Sequence, residues 1–186
     1  FENEVVVKTE NKTITSDFVK YDKKKGFLIL RKNIVAKDNN NNIIEADYAE
    51  YSELKKIFIT TGQTKITTSD SYTLEAEDIL FDNKNRFINS KNKSILKDLD
   101  GNIIYLENFE YLINENIFKS IGYIKIEDQK ENVYEFSQIY IDTKKKEILG
   151  TDIKAFLNEK SIKVDPRNEP RVFANTIKLS EKKKYF

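Results

Sequence analysis

The side chains able to do chemistry in this sequence are carboxylates, hydroxyls and lysines. There is no His and no Cys. That removes Ser-His-Asp and Cys-His nucleophiles, the imidazole base, disulfides and the usual zinc sites. Two carboxylate groupings remain to be weighed. Asp98-Leu99-Asp100-Gly101 opens like a calcium loop, but an EF-hand then needs Gly at position 103 and Glu at 109, where this chain has Ile103 and Phe109. Asp100-Gly101 reads instead as a hairpin turn. Asp78, Asp82, Glu107 and Glu110 are numerous enough for a glycosidase pair, yet charged outer strand faces account for them. Lys outnumbers Arg 28 to 4, whereas bidentate recognition of phosphate or carboxylate calls for Arg. The runs Lys23-Lys25, Lys144-Lys146 and Lys182-Lys184 read as solvated turns and a tail, with a lipid headgroup or phosphate site as the sharper alternative. No catalytic residue, metal or cofactor is expected.

Composition narrows the class further. Of 186 residues, 34% are charged, 39% hydrophobic and 12% aromatic. That is too apolar for a disordered chain, and no stretch approaches the roughly 18 apolar residues of a membrane helix. The net charge of +1, from 32 basic and 31 acidic residues, gives no case for nucleic acid. Lack of Cys fits a reducing cytosol or a secreted domain equally. The chain does not begin with Met, which reads as a processed or trimmed N-terminus.

The organising feature is a repeat. Tyr21, Tyr51, Phe81 and Tyr111 lie 30 residues apart, and Ile141 continues the column. Further columns at the same period hold Ile14, Ile44, Leu74, Ile104 and Tyr134; Ser16, Ala46, Ala76, Leu106 and Phe136; and Val19, Ala49, Ile79, Phe109 and Ile139. Leu28, Phe58, Ile88, Phe118 and Ile148 form a fifth, and Ala36, Ile66, Leu96, Ile126 and Phe156 a sixth. Five copies with an unbroken period imply a stacked repeat architecture.

Within a copy the spacing is that of strands. Leu74-Glu75-Ala76 and Ile79-Leu80-Phe81 alternate with period two, and the step of three between Ala76 and Ile79 marks a bulge or corner. Turn signals recur in phase at Asp38-Asn42, Ser69-Ser71, Asp98-Asn102, Asp128-Asn132 and Asn158-Ser161. Shorter breaks fall at Asp22-Gly26, Ser52-Lys56, Asp82-Arg86, Ile113-Asn116 and Asp142-Lys146. The expectation is about three short strands per copy, about fifteen in all, and no helix longer than two turns. The small residues Ser16, Ala46 and Ala76 leave room inside, so both an open groove and a filled solenoid fit. A repeat domain over residues 1–164 is followed by a boundary and last strand over 165–186. Both prolines, Pro166 and Pro170, fall at that boundary. The ending at Tyr185-Phe186 reads as a cut from a longer protein.

Glu45-Ala46-Asp47-Tyr48-Ala49-Glu50-Tyr51 and Glu75-Ala76-Glu77-Asp78-Ile79-Leu80-Phe81 resemble the repeat of the OstA/LptA-type lipopolysaccharide-transport domain. Gly62 and Gly122 stand where that repeat has a Gly-x-apolar step, and Asn168-Glu169-Pro170-Arg171 resembles the end of the N-terminal periplasmic domain of the LptD family. That family's transmembrane barrel and the cysteines of some members are missing from this sequence. The resemblance implies an all-β, open β-jellyroll at the periplasmic face of the outer membrane. It would receive lipopolysaccharide from an LptA-like protein and pass it to a barrel partnered by an LptE-like lipoprotein. It implies an acyl-chain trough at Ile44, Ala46, Tyr51, Phe58, Leu74, Ala76, Phe81, Ile88, Ile104, Leu106, Tyr111 and Phe118, and a partner edge at Val5, Val6 and Val7. An LptA/LptC-type bridge protein, a structural β-solenoid without ligand and a β-helical polysaccharide lyase or hydrolase are the rival readings.

Overall fold

A computed structural model describes residues 1–8, 12–69, 71–158 and 170–180, with Glu2, Leu179 and Ser180 described by backbone alone. Val, Ile, Thr, Phe and Tyr crowd short segments between turn residues, and those segments become strands. They are β1 (Glu2–Lys8), β2 (Lys12–Asp22), β3 (Phe27–Asp38), β4 (Ile43–Ser52), β5 (Ile57–Thr60), β6 (Gln63–Thr67), β7 (Thr73–Glu77) and β8 (Leu80–Asp82). They continue as β9 (Phe87–Ser90), β10 (Ser94–Lys97), β11 (Ile103–Leu106), β12 (Phe109–Leu112), β13 (Ile117–Glu127), β14 (Val133–Asp142), β15 (Glu147–Phe156) and β16 (Arg171–Ser180). All belong to one antiparallel sheet. No helix occurs among the described residues. The fold is an all-β jellyroll of stacked 30-residue units.

The unit differs from the expected three short strands. Each 30-residue copy is one hairpin of two long strands, and each strand is bent near its middle. At the flanks the bend is a bulge within a continuous strand, as between Thr15 and Phe18, Arg31 and Ile34, or Ile121 and Ile124. In the centre the ladder breaks there, so β5/β6, β7/β8, β9/β10 and β11/β12 are the halves of single strands. The proof is that β4 pairs with both β5 and β6. The bends recur every 15 residues or so, and five of them carry left-handed backbone: Lys32 has φ 62°, Gly62 79°, Asp78 52°, Gly122 118° and Asp152 52°. Alternation keeps period two on either side of a bend but changes phase at it, which is why the repeat looked like separate strands.

The shared bend is a crease that folds the sheet into two leaves. Leaf one holds β5, β8, β9, β12 and the matching halves of the long strands; leaf two holds β6, β7, β10, β11 and the other halves. Inward residues of both leaves join one buried cluster that includes Leu74, Ile79, Ile104, Phe109, Ile124 and Ile139. A second cluster, with Val19, Leu30, Ile34 and Ala49, fills the β2–β4 end.

Two rows of tight turns close the free ends of the leaves. Those ending leaf one run through residues 22–26, 52–56, 82–86, 112–116 and 142–146, and leave Gly26, Lys56, Arg86, Asn116 and Lys146 at positive φ. Those ending leaf two run through 38–42, 68–72, 98–102 and 128–132. Asp100-Gly101 lies in one of them, with Gly101 at φ 79° as a hairpin turn requires. The expected turn at Asn158-Ser161 and the stretch Asp165 to Glu169, with Pro166, lie largely outside the described residues. Among the described residues β1 and β16 each have a single neighbour, β2 and β15, and so form the two edges of the stack.

Candidate functional site

The registers assemble two unbroken apolar rows along the free side of the sandwich. On leaf two, Val7, Ile14, Ala36, Ile44, Ile66, Leu74, Leu96, Ile104, Ile126, Tyr134, Ala155 and Val172 are successive cross-strand partners from one edge to the other. On leaf one the facing row is Tyr21, Leu28, Tyr51, Phe58, Phe81, Ile88, Tyr111, Phe118, Ile141 and Ile148. Strands about 4.8 Å apart make such a row roughly 50 Å long. Among the described residues only the crease joins the leaves, so these rows border the mouth, the side of the sandwich away from it. Exposure rises toward the mouth on leaf one, where Leu30, Ile79 and Ile139 beside the crease are fully buried while Tyr51, Phe58, Phe81, Ile88 and Tyr111 are half-buried and Tyr21 is 46% exposed; the leaf-two row is largely buried, Leu74 and Ile104 included.

All twelve trough residues named from the sequence face inward. Ile44, Leu74 and Ile104 stand in the leaf-two mouth row, and Tyr51, Phe58, Phe81, Ile88, Tyr111 and Phe118 in the leaf-one row. Ala46, Ala76 and Leu106 lie deeper, in a leaf-two row beside the crease that also holds Ile34, Thr64, Ser94, Ile124 and Phe136. Aromatic rings bridge neighbouring strands: Phe58 meets Phe81 edge-on at 5.5 Å, and Phe109 stacks on Phe118 at 5.5 Å. Val5 and Val7 pack on the core, Val6 is 52% exposed, and β1 presents its outer edge unpaired by the rest of the sheet.

The small residues do not leave room. Ala76 is 2% exposed and Ala46 9%, because the leaves converge at the crease and only small side chains fit. The interior as a whole is packed. The two best-formed hollows lie elsewhere, on the outer face of leaf one. One of about 180 Å³ is bordered by Lys20, Asp22, Lys25, Phe27 and Ile29. The other, of about 290 Å³, is bordered by Asn89, Lys91, Asn108, Glu110, Lys119 and Ile121.

One column escaped the sequence reading: Leu30, Thr60, Ser90, Ser120 and Gly150, again 30 residues apart. Broken ladders at the crease leave carbonyls that need donors, and buried hydroxyls supply them. Ser90 Oγ donates to Glu77 O at 2.6 Å, Ser120 Oγ to Asn108 O at 2.6 Å, and Ser16 Oγ to Arg31 O at 2.9 Å. Thr64 Oγ1 donates to Thr60 Oγ1 at 2.7 Å, and Thr60 Oγ1 accepts from Ile79 N at 3.1 Å. The period itself was the available signal.

The carboxylates weighed for a glycosidase pair are dispersed among structural tasks. Asp78 at the crease accepts from Gly62 N and Asn92 Nδ2. Asp82 at a leaf-one turn accepts from Lys84 N and Asn85 N, and the backbone N–H of Asn85 is the main reason its carboxyl titrates below the usual range. Glu107 is 3.8 Å from Lys93, and Glu110 pairs with Lys119 at 2.6 Å on the outer face. Asp98 Oδ1 accepts from Asp100 N and Asn102 N, which is turn architecture. Among the described residues no group of three His, Cys, Asp or Glu could hold a metal ion.

No family model and no curated protein sequence matches the chain. Two solved structures are similar in outline. One is LptH from Pseudomonas aeruginosa, described as the LptA homologous periplasmic component of the lipopolysaccharide transport device. It is 14% identical, the match covers 88% of this chain and 93% of that one, and the TM-score is 0.32. The other is the TCP10 domain of Danio rerio CPAP in complex with a STIL peptide: 8% identical, 92% and 99% covered, TM-score 0.16. At such scores neither likeness carries an argument about function.

Proposed function

We propose that this chain is a periplasmic lipid carrier of the OstA/LptA type, which lays lipopolysaccharide acyl chains along the mouth between its leaves. The carrying observation is the pair of unbroken apolar rows, bordering a sandwich that among the described residues is closed on one side only. Each methylene withdrawn from water into such a trough is worth about 0.8 kcal/mol, and no catalytic group is needed. Half-buried Tyr51, Phe58, Phe81 and Tyr111 offer first contacts, and the leaves part to admit the chains. The Asn168-Glu169-Pro170-Arg171 resemblance supports the finer reading, the N-terminal domain of an LptD-type protein. An LptA-like protein would then add a strand at Val5-Val6-Val7, and an outer-membrane barrel with its LptE-like lipoprotein would take the lipid. An LptA/LptC-type bridge uses the same geometry.

The packed interior favours one rival, a filled structural stack without ligand. Photo-crosslinking in cells separates the two. A benzophenone side chain at Phe81 or Leu74 should capture lipopolysaccharide, and one at Glu75 or Tyr105, on the opposite strand face, should not. Equal labelling of both sets, or none at Phe81 and Leu74 in a folded protein, would overturn the carrier reading.

A further inference from the structure

The two rims of the sandwich carry opposite charge. The leaf-one turns, residues 22–26, 52–56, 82–86, 112–116 and 142–146, hold ten Lys or Arg against five Asp or Glu. Among the described residues the leaf-two turns, 38–42, 68–72, 98–102 and 128–132, hold one Lys against five carboxylates. A chain of net charge +1 thus presents a basic edge and an acidic edge on the two lips of its mouth. Turns of successive hairpins are two strands apart, about 9.5 Å, so the five turns form a ridge roughly 40 Å long, with two or three Lys or Arg in each of four turns and none in 112–116.

The turns aim these cations outward. Asp22, Asp82 and Asp142 accept the backbone N–H groups of their own turns, which fixes the loop and leaves lysine side chains in solvent. Lys25 is 80% and Lys145 70% exposed, even though each lies near its turn's Asp. Directly behind the ridge stand aromatic and apolar residues on both strand faces: Tyr51 and Phe81 inward, Phe27 and Phe87 outward, all half-buried. At one turn tip Leu54 is 83% exposed between Glu53 and Lys55. A basic ridge with exposed Leu at its tip and a band of Phe and Tyr behind it is the arrangement that settles at an anionic bilayer surface, with ammonium groups among lipid phosphates and rings at headgroup depth.

From this we propose that the leaf-one rim is a membrane-docking edge that lays the sandwich on an anionic bilayer, with the acidic leaf-two rim turned away. The docking edge is independent of whether lipid occupies the interior.

Flotation of the described chain with phospholipid vesicles tests it. Vesicles containing about one-third phosphatidylglycerol in phosphatidylcholine should bind the protein, and pure phosphatidylcholine vesicles should not. The exposed triple variant Lys144→Glu/Lys145→Glu/Lys146→Glu should lower anionic-vesicle affinity by roughly tenfold or more, with an unchanged circular dichroism spectrum. Lys130→Glu on the opposite rim should leave binding intact. Equal binding to neutral vesicles, or undiminished binding of the triple variant, would overturn the docking edge. Capture of lipopolysaccharide at Phe81 is read separately, so either idea can fail while the other stands.

Discussion

At Gly150 a missing side chain decides the packing of the crease. A Cβ added there would stand 2.4 Å from Phe136 Cδ1 and 2.5 Å from Cε1. The Gly150 backbone is not left-handed, so the obstacle is steric alone. Gly150→Ala should therefore destabilise by about 1–3 kcal/mol, while Gly62→Ala, with open space around it but φ 79°, should cost only the backbone strain of roughly 1 kcal/mol. Phe136→Leu should accommodate the new methyl, so urea unfolding of Gly150→Ala, Phe136→Leu and the double variant should show coupling. Additive effects would remove the contact from the account. The sequence showed Phe136 in the column of Ser16, Ala46 and Ala76, a large residue among small ones, but not what yields to it. Gly150 compensates from the neighbouring strand, in the column that passed unnoticed. Ser90 and Ser120 in that column look like surface residues by type; they are buried because the creased backbone requires donors there.

At the scale of the element, turns were more legible than strands. Asp, Asn and Gly at fixed offsets gave both rims, since those residues tolerate turn geometry and bond their own backbone. The strands were read too short, because a change of alternation phase looks the same in sequence whether a strand ends or bends. Turn chemistry also sets the response to acid. Asp142 titrates below the usual range, first because Lys145 N–H donates to it and then through the Lys145 side chain. At Asp128 burial pushes the carboxyl up, yet donors from Asn132 and Lys130 more than offset it and hold it low. Asp82 is low for the same turn-bonding reason. For these groups the folded value lies below the unfolded one, near 3.9. Their stabilisation is thus present above about pH 4 and lost as pH falls through the lowered folded values. The melting temperature should be flat from neutral pH to about pH 5 and then drop. Asp82→Asn/Asp142→Asn should start lower and show a shallower acid decline; an unchanged slope would mean that other groups carry it.

At the scale of the whole molecule, the 30-residue period corresponds to one out-and-back hairpin, and 15 residues to a single bent strand. A strand runs from a leaf-one turn through the crease to a leaf-two turn, and the next runs back. Excising residues 62–91 would join Thr61 to Asn92, two crease positions, so that β5 on leaf one continues into β10 on leaf two as it now does into β6. Phe58 would then face Tyr111 across the closed gap, and Ala46 would face Ser94, each an exchange of like for like in its row. Excising only residues 62–76 would instead run β5 into β8, placing two leaf-one halves in succession and depriving leaf two of two, β6 and nearly all of β7. Because repeats in such a stack are stabilised chiefly by their neighbours, the 30-residue deletion should still unfold in one cooperative transition with a native-like β spectrum. The 15-residue deletion should lose its transition or aggregate through unpaired edges. Circular dichroism melts of the two variants beside the parent chain make the comparison. If the shorter deletion melted as cooperatively as the longer one, the creased hairpin would not be the unit from which this molecule is built.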